Sequence, residues 1–401
     1  MKLWKARVSP QAAVGRKPLT GPDRKRAIEE AIPVPVEIAG QWSWRILVVI
    51  GVLVVFGYLI ATLKDIVVPF MVAILVSALL VPFKQYLQRH NWPRWLAIVV
   101  PLVLTLLIVG GLLFIVIAQV RSGYPDLQAR TVTAFDNFRT FLKTSPLQIS
   151  DAQFSSYLAQ IGSTLQSDSA AILSGALAIG TTFGHVLTGF LLALFATIFI
   201  LIDGAAIWGW IVRIFPHRAR TAVDGAGRAG WVTLTAFVRA QILVAAVDAI
   251  GIGLGAFVVG LFFGGFPLVI PIAIAVFLGS FIPVVGAVIT GALAVIVALL
   301  YDGPIAAVIM LAVVLGVQEL EGHGLQPFLM GSAVKVHGLA VVFAVAAGGF
   351  LAGIPGALFA VPIVAVVNVM VKYIASGRWR TLPHPEARDV ALVADVVSSD
   401  E

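Results

Sequence analysis

The sequence predicts an all-α integral membrane protein, a polytopic helical bundle with two discontinuous segments near its C-terminal end. Three observations predict it. Apolar residues make up 60% of the 401 and charged residues 12%, about half the share of roughly 25% usual in soluble domains. The mean hydropathy is +1.01, and the apolar residues gather in runs long enough for the about 20 residues that a lipid-spanning helix needs. Two late runs exceed 30 residues and are broken near their middles. The breaks read Phe281-Ile282-Pro283-Val284-Val285-Gly286-Ala287 and Gly353-Ile354-Pro355-Gly356-Ala357.

Taken in order, residues 1–43 hold little apolar content. Five prolines lie in the first 40 residues and nine of the 27 Lys and Arg in residues 1–45. This predicts a disordered basic tail facing anionic lipid. It does not read as a cleaved leader, because the apolar run comes late and no small-residue cleavage site precedes it. Spans one to three follow within 44–120, at Trp44–Thr62, Ile66–Val81 and Trp95–Val120. Residues 121–179 differ in kind, with four Lys or Arg against four Asp. Phe135, Phe138 and Leu142, then Phe154, Leu158, Ile161 and Leu165, recur at helical spacing. They predict amphipathic helices, lying on the membrane or packed as a small subdomain. Residues 180–373 form the expected transport core. Span four is Ile179–Ile202, a basic loop covers 203–239, and span five is Ala240–Phe263. The first broken run is 268–301, span six is 304–320, and the second broken run is 339–373. Residues 374–401 read as a tail.

Positive charge sets orientation. The N-terminus, loop 83–94, loop 203–239 and the C-terminus carry nine, three, five and four Lys or Arg. They are expected on the cytoplasmic side. The charge-balanced region 121–179 is expected outside. The first halves of the broken runs, 268–281 and 339–352, would each be about 21 Å long as helices, short of a hydrocarbon core of about 30 Å. Re-entrant hairpins satisfy this, with six crossings and both termini inside. They would enter from opposite sides, as in an inverted repeat. One long kinked helix per run is the alternative, with eight crossings, and charge does not separate the two.

The breaks point to chemistry. Pro283 and Pro355 each remove a backbone donor and push the preceding residue out of the α region. Gly286 and Gly356 permit bends that a side chain forbids. Freed carbonyls and half-helix N-termini inside a membrane need partners, and such discontinuous segments are where transporters hold cargo and ions. A Pro kink satisfied by neighbouring helices is the structural alternative.

Polar residues inside the apolar segments are few. Asp248 lies about nine residues into span five. An intramembrane carboxylate is costly and faces a cavity or a partner. It is the best candidate carrier of a proton or cation; a structural pair with Arg239 is the other reading. Gln318 and Glu321 are i, i+3 on one face at the end of span six, with Glu319 displaced. They line an inner mouth or sit in the interface. Asn368, deep in the last half-helix, bonds a ligand or another helix, the latter being favoured. His185, Gln241 and Gln326 are weaker candidates. Gly251 and Gly255 in span five have the small-residue spacing of close helix contact.

Several classes are excluded. There is no cysteine, so disulfides and Cys-based metal sites are out. The six His show no metal-binding spacing, and neither a metal nor a cofactor is expected. No Gly-x-Ser-x-Gly, P-loop or nucleotide fingerprint is present, so no enzyme is expected and any active transport must draw on an ion gradient. The net charge of +7 sits in membrane flanks, with no folded basic domain for nucleic acid.

The chain resembles the autoinducer-2 exporter family of bacterial permeases. The resemblance runs from about Asp203 to Asn368, more weakly back to Trp44. It is carried by Ile282-Pro283-Val284-Val285-Gly286-Ala287, Gln318-Glu319-Leu320-Glu321-Gly322, Leu325-Gln326-Pro327-Phe328-Leu329-Met330-Gly331, Gly348 through Ala357, and Ala360-Val361-Pro362. The Arg-rich 213–239 stretch and the Gln-Glu-Leu-Glu string look like actinobacterial members. Family members often have another residue where this chain has Pro355. The resemblance implies a multi-pass protein of the bacterial cytoplasmic membrane that exports a small furanone-type signal or, more broadly, small solutes. It also implies a homo-oligomer, a pentamer. Some members are described as sodium–proton antiporters. Three functions follow as expectations: a gradient-driven exporter with proton or sodium coupling, a sodium–proton antiporter, and a non-transporting membrane scaffold that docks through 121–179.

Overall fold

The computed structural model describes residues 34–144, 184–266, 268–282, 285–325, 338–386 and 389–390. The expectations for 1–33, for 145–179, for Pro283 and for Gln326 fall outside these residues. Every regular element among the described residues is helical. Seven helices are long and apolar enough to cross a membrane. They are the six expected spans and the second broken run, so the protein is a multi-pass helical membrane protein.

Two units make up the chain, divided after Thr62. The first contains α1 (Val34–Thr62), which begins inside the expected tail. From Trp42 on, most of its described side chains are exposed apolar groups, as suits a helix wetted by lipid rather than water.

The second unit opens with α2 (Lys64–Arg89) and α3 (Arg94–Thr144). Leu80, Leu102 and Leu201 bring α2, α3 and α4 (Gly184–Ile214) together. Lys84 Nζ donates to the Leu201 carbonyl. The helix of span three does not end at Val120 but continues to Thr144.

The expected loop 203–239 is a correction. α4 runs to Ile214, and α5 (His217–Phe263) starts directly after the two-residue joint Phe215-Pro216. The charges that suggested a loop are carried by helix that extends past the apolar stretch. Arg220 closes the joint: its Nε donates to the Phe215 carbonyl at 2.9 Å and its Nη2 to the Arg213 carbonyl at 2.8 Å. Both are orphan acceptors at the end of α4. Asp224 ties the helices further, accepting from Trp208 Nε1 at 2.8 Å and from Arg228 Nε at 3.0 Å.

α5 is the axis of the unit. Its C-terminal half packs on α6 (Val269–Gly279), α7 (Val285–Asp302) and α8 (Pro304–Leu320) through Ile252, Ala256, Val259, Ile272, Val297 and Met310. Its middle packs on α2 and on α9 (Gly338–Ala375) through Leu234, Phe237, Val238, Ala78, Val345 and Ala360. Its N-terminal part holds Tyr373 and Val390 against Ala226 and Ala229. Residues just past α9 therefore return to the bundle, where a tail was expected; Tyr373 also donates to the Leu382 carbonyl.

Lipid offers no hydrophobic drive between helices, so close approach at small residues does the work. A Cβ on Gly251 would lie 2.9 Å from Val317, and one on Gly255 2.2 Å from Val313. The expected small-residue face of α5 thus seats α8.

Both broken runs fold back on themselves. In an unbroken helix, residues seven or eight apart are separated by about 10–12 Å. Here a Cβ on Gly286 would lie 1.7 Å from the Gly279 carbonyl oxygen, and one on Gly356 1.9 Å from that of Gly348. One kinked helix per run does not describe this backbone. α6 and α7 form one helical hairpin and the two arms of α9 another. In α9 the helix is interrupted at Ala352 and at Gly353, whose φ of 66° and ψ of −148° suit only glycine. Pro355 then lies in the opening turn of the second arm, where its missing N–H costs least.

Candidate functional site

The first hairpin meets α5 at a polar cluster in otherwise apolar surroundings. Asp248 is 1% exposed. It lies on α5 where the two large apolar clusters adjoin, between Val238 of one and Ala249 of the other. Ser280 caps α6 at the reversal, and its Oγ lies 3.0 Å from Asp248 Oδ2. The other carboxyl oxygen, Oδ1, is buried without a hydrogen-bond partner among the described residues.

Gln241 stands seven residues before Asp248, two turns away on the same face of α5. Its Nε2 donates to the Ser280 carbonyl at 2.6 Å. That carbonyl is one of those freed where α6 stops. The remaining turn is closed by backbone bonds from Ile282 N to Gly279 O and from Gly286 N to Ile282 O, each 2.8 Å. Ile282 packs against the cluster formed by α2, α5 and α9. The tip of the first hairpin therefore touches the apolar wall that also holds the second.

Asp248 makes no ion pair among the described residues, and the expected alternative, a pair with Arg239, is not formed; Arg239 is exposed. A buried carboxyl with a hydroxyl on one oxygen and nothing on the other can take up or release a proton, or accept one further donor. No group of three or more metal-ligating side chains occurs among the described residues.

The other predicted residues sit apart. Gly286 and Gly356 have a packing reason, the close crossing of their hairpin arms. Gln318 and Glu321 are half-buried at the end of α8, and a π-helical turn over Glu321–Leu325 follows. Glu319 is 74% exposed, with Oε1 2.9 Å from His323 Nδ1. Asn368 is half-buried on the second arm of α9. Among the described residues Gln318, Glu319 and Asn368 do not hydrogen-bond Asp248. Sequence reasoning missed Ser280 and undervalued Gln241. Their signals were present: a lone polar residue just before the Pro break, and a glutamine two helical turns from the only intramembrane acid of α5.

A multi-pass bundle with two folded-back apolar segments, one meeting a buried acid, has the architecture of a membrane transporter. The chain matches the model of the AI-2E family transporter over residues 46–376, and it belongs to that family. It is 38% identical over 366 residues to "Putative transport protein MT0215" of Mycobacterium tuberculosis, covering 91% of this chain and 97% of the relative. It is 27% identical over 322 residues to "Putative transport protein YrrI" of Bacillus subtilis, covering 77% and 86% respectively.

Proposed function

We propose that this protein is a secondary transporter of the bacterial cytoplasmic membrane that exports a small polar organic molecule, driven by a proton gradient. Asp248 carries the coupling proton. The observation that carries this reading is its carboxyl: buried, free of any cation among the described residues, half-partnered, and set at the reversal of a broken helix. An ionisable group in such a place is functional by default. Family membership supplies the transport class, and the resemblance to autoinducer-2 exporters supplies the cargo class, a hydroxyl-rich furanone-like signal. Both hairpins re-enter the membrane from the side they left. Both termini and the basic ends of α4 and α5 face the cytoplasm, and the chain works as a homo-oligomer.

The test is flux in proteoliposomes under an imposed proton gradient, with internal pH and current read while the furanone signal, then sodium, is added. A signal-dependent proton current that falls about 100-fold in Asp248→Asn, roughly 2.7 kcal/mol of barrier, supports the exporter. Sodium-dependent proton movement without organic cargo replaces it with the antiporter. Silence to both, with a partner lost on deletion of 121–179, replaces it with the scaffold.

A further inference from the structure

We propose that Ser280 is the positioning residue for a proton resident on Asp248, so that the first hairpin is fastened to α5 through that proton. A count of hydrogens leads to that proton. Ser280 Oγ lies 3.0 Å from Asp248 Oδ2 and 2.8 Å from the Val276 carbonyl oxygen. Both neighbours are oxygens, and a serine hydroxyl owns one proton. Sharing it would leave both bonds poorly aligned, and hydrogen bonds weaken steeply with misalignment. The Val276 contact is the back-bond that a serine near a helix end makes to the carbonyl four residues before it. With the hydroxyl proton on Val276, whose carbonyl also accepts Ser280 N at 2.8 Å, the 3.0 Å contact to Oδ2 requires its own proton. Only the carboxyl can supply it. Asp248 Oδ2–H then donates to Ser280 Oγ, Ser280 donates to Val276, and Gln241 holds the Ser280 carbonyl at 2.6 Å.

No nearby charge among the described residues competes for the role. α6 carries no titratable side chain. Charges on the other elements packed against α5 and α6 stand toward the ends of the apolar stretches: Lys64, Asp65, Lys84 and Arg89 on α2, Arg94 and then Arg121 onward on α3, His185, Asp203 and Arg213 on α4, Asp302 on α7, Glu319 on α8 and Lys372 on α9. Tyr301 and Tyr373 sit near the ends of α7 and α9, and Glu321 and His323 follow α8. On α5 the nearest titratable residue is Arg239, which is exposed. Loss of the proton obliges the Ser280 hydroxyl to turn from Val276 to the carboxylate. A charge change on α5 thereby becomes a rotation at the tip of the hairpin. The use of this step in transport rests on the reading above; the hydrogen count does not.

Infrared difference spectroscopy of the full chain in lipid bilayers at neutral pH tests it. The wild-type spectrum is expected to hold a protonated-carboxyl carbonyl band that Asp248→Asn removes. Ser280→Ala should shift that band to the higher frequency of an acid that donates to nothing, and Ser280→Thr, which can make the same back-bond, should restore it. Loss of only an ionised-carboxylate band in Asp248→Asn overturns the proposal, as does an acid band indifferent to Ser280→Ala. If Ser280→Ala fails to fold, the pair of wild type and Asp248→Asn still reads the proton directly. The band is recorded without transport. A protein with the band and no flux refutes the transporter reading alone, and one with flux and an ionised Asp248 refutes the fastening alone.

Discussion

At the first hairpin the reversal carries Ser280, and Gln241 and Asp248 of α5 both reach it. At the second it carries Ala352 and Gly353, and the flanking Phe350 and Ile354 are 92% and 74% exposed. The reversals share one device. Each sets a glycine of one arm against the backbone of a glycine on the other, Gly279 with Gly286 and Gly348 with Gly356. The chain thus repeats a shape without repeating its chemistry. Two broken segments in one membrane protein need not be two binding tips. One is tied by polar side chains to the central helix, while the other presents apolar groups and is held by packing.

The shared device can be broken first, with the largest effect. Gly286→Ala and Gly356→Ala each push a methyl into a carbonyl that has no room to give. Both should lower stability by about 3 kcal/mol, the upper end of overpacking costs, read as the loss of thermal stability in detergent. A substitution tolerated in one hairpin alone would show that the two crossings are not equivalent.

The next test separates the tips. Gln241→Ala leaves the Ser280 carbonyl buried without its donor and should cost about 1–3 kcal/mol. Among the described residues no side chain of that kind serves the second reversal. Gly353→Ala should cost about 1–2 kcal/mol from its positive φ, with stability changed and proton coupling left intact. The smallest effect belongs to Phe350→Ala, within about 0.5 kcal/mol as for other exposed positions. A large loss of flux in that variant would place chemistry on the second tip and undo the contrast.

Much of the fold was legible because lipid leaves few choices. A run of about 20 apolar residues must be helical, and Pro and Gly set close together in such a run mark where it can break. The positions of α2, α5, α8 and both reversals follow. The basic stretch 203–239 was misread because charge density marks the edge of the membrane but not the end of a helix. Asp248 stood out as a lone acid. Ser280 did not, because a serine in a membrane helix usually satisfies itself by back-bonding, and only the fold shows that α5 lies within reach. Gly279 and Gly348 were passed over for the same reason. Their value depends on a partner seven or eight residues on, which is visible only once the chain has turned back.

α5 has one more consequence. It is 47 residues long, about 70 Å at 1.5 Å per residue, more than twice a hydrocarbon core of about 30 Å. Asp248 and Gly225, which lies against Tyr373, are about 35 Å apart along it. The helix is a lever with the acid near one bearing and the residues after α9 gripping the other arm. A tilt of only about 10° about Asp248 would carry the gripped end some 6 Å, roughly one helical pitch. Whatever loosens the hairpin inside the membrane is announced, amplified, at its surface.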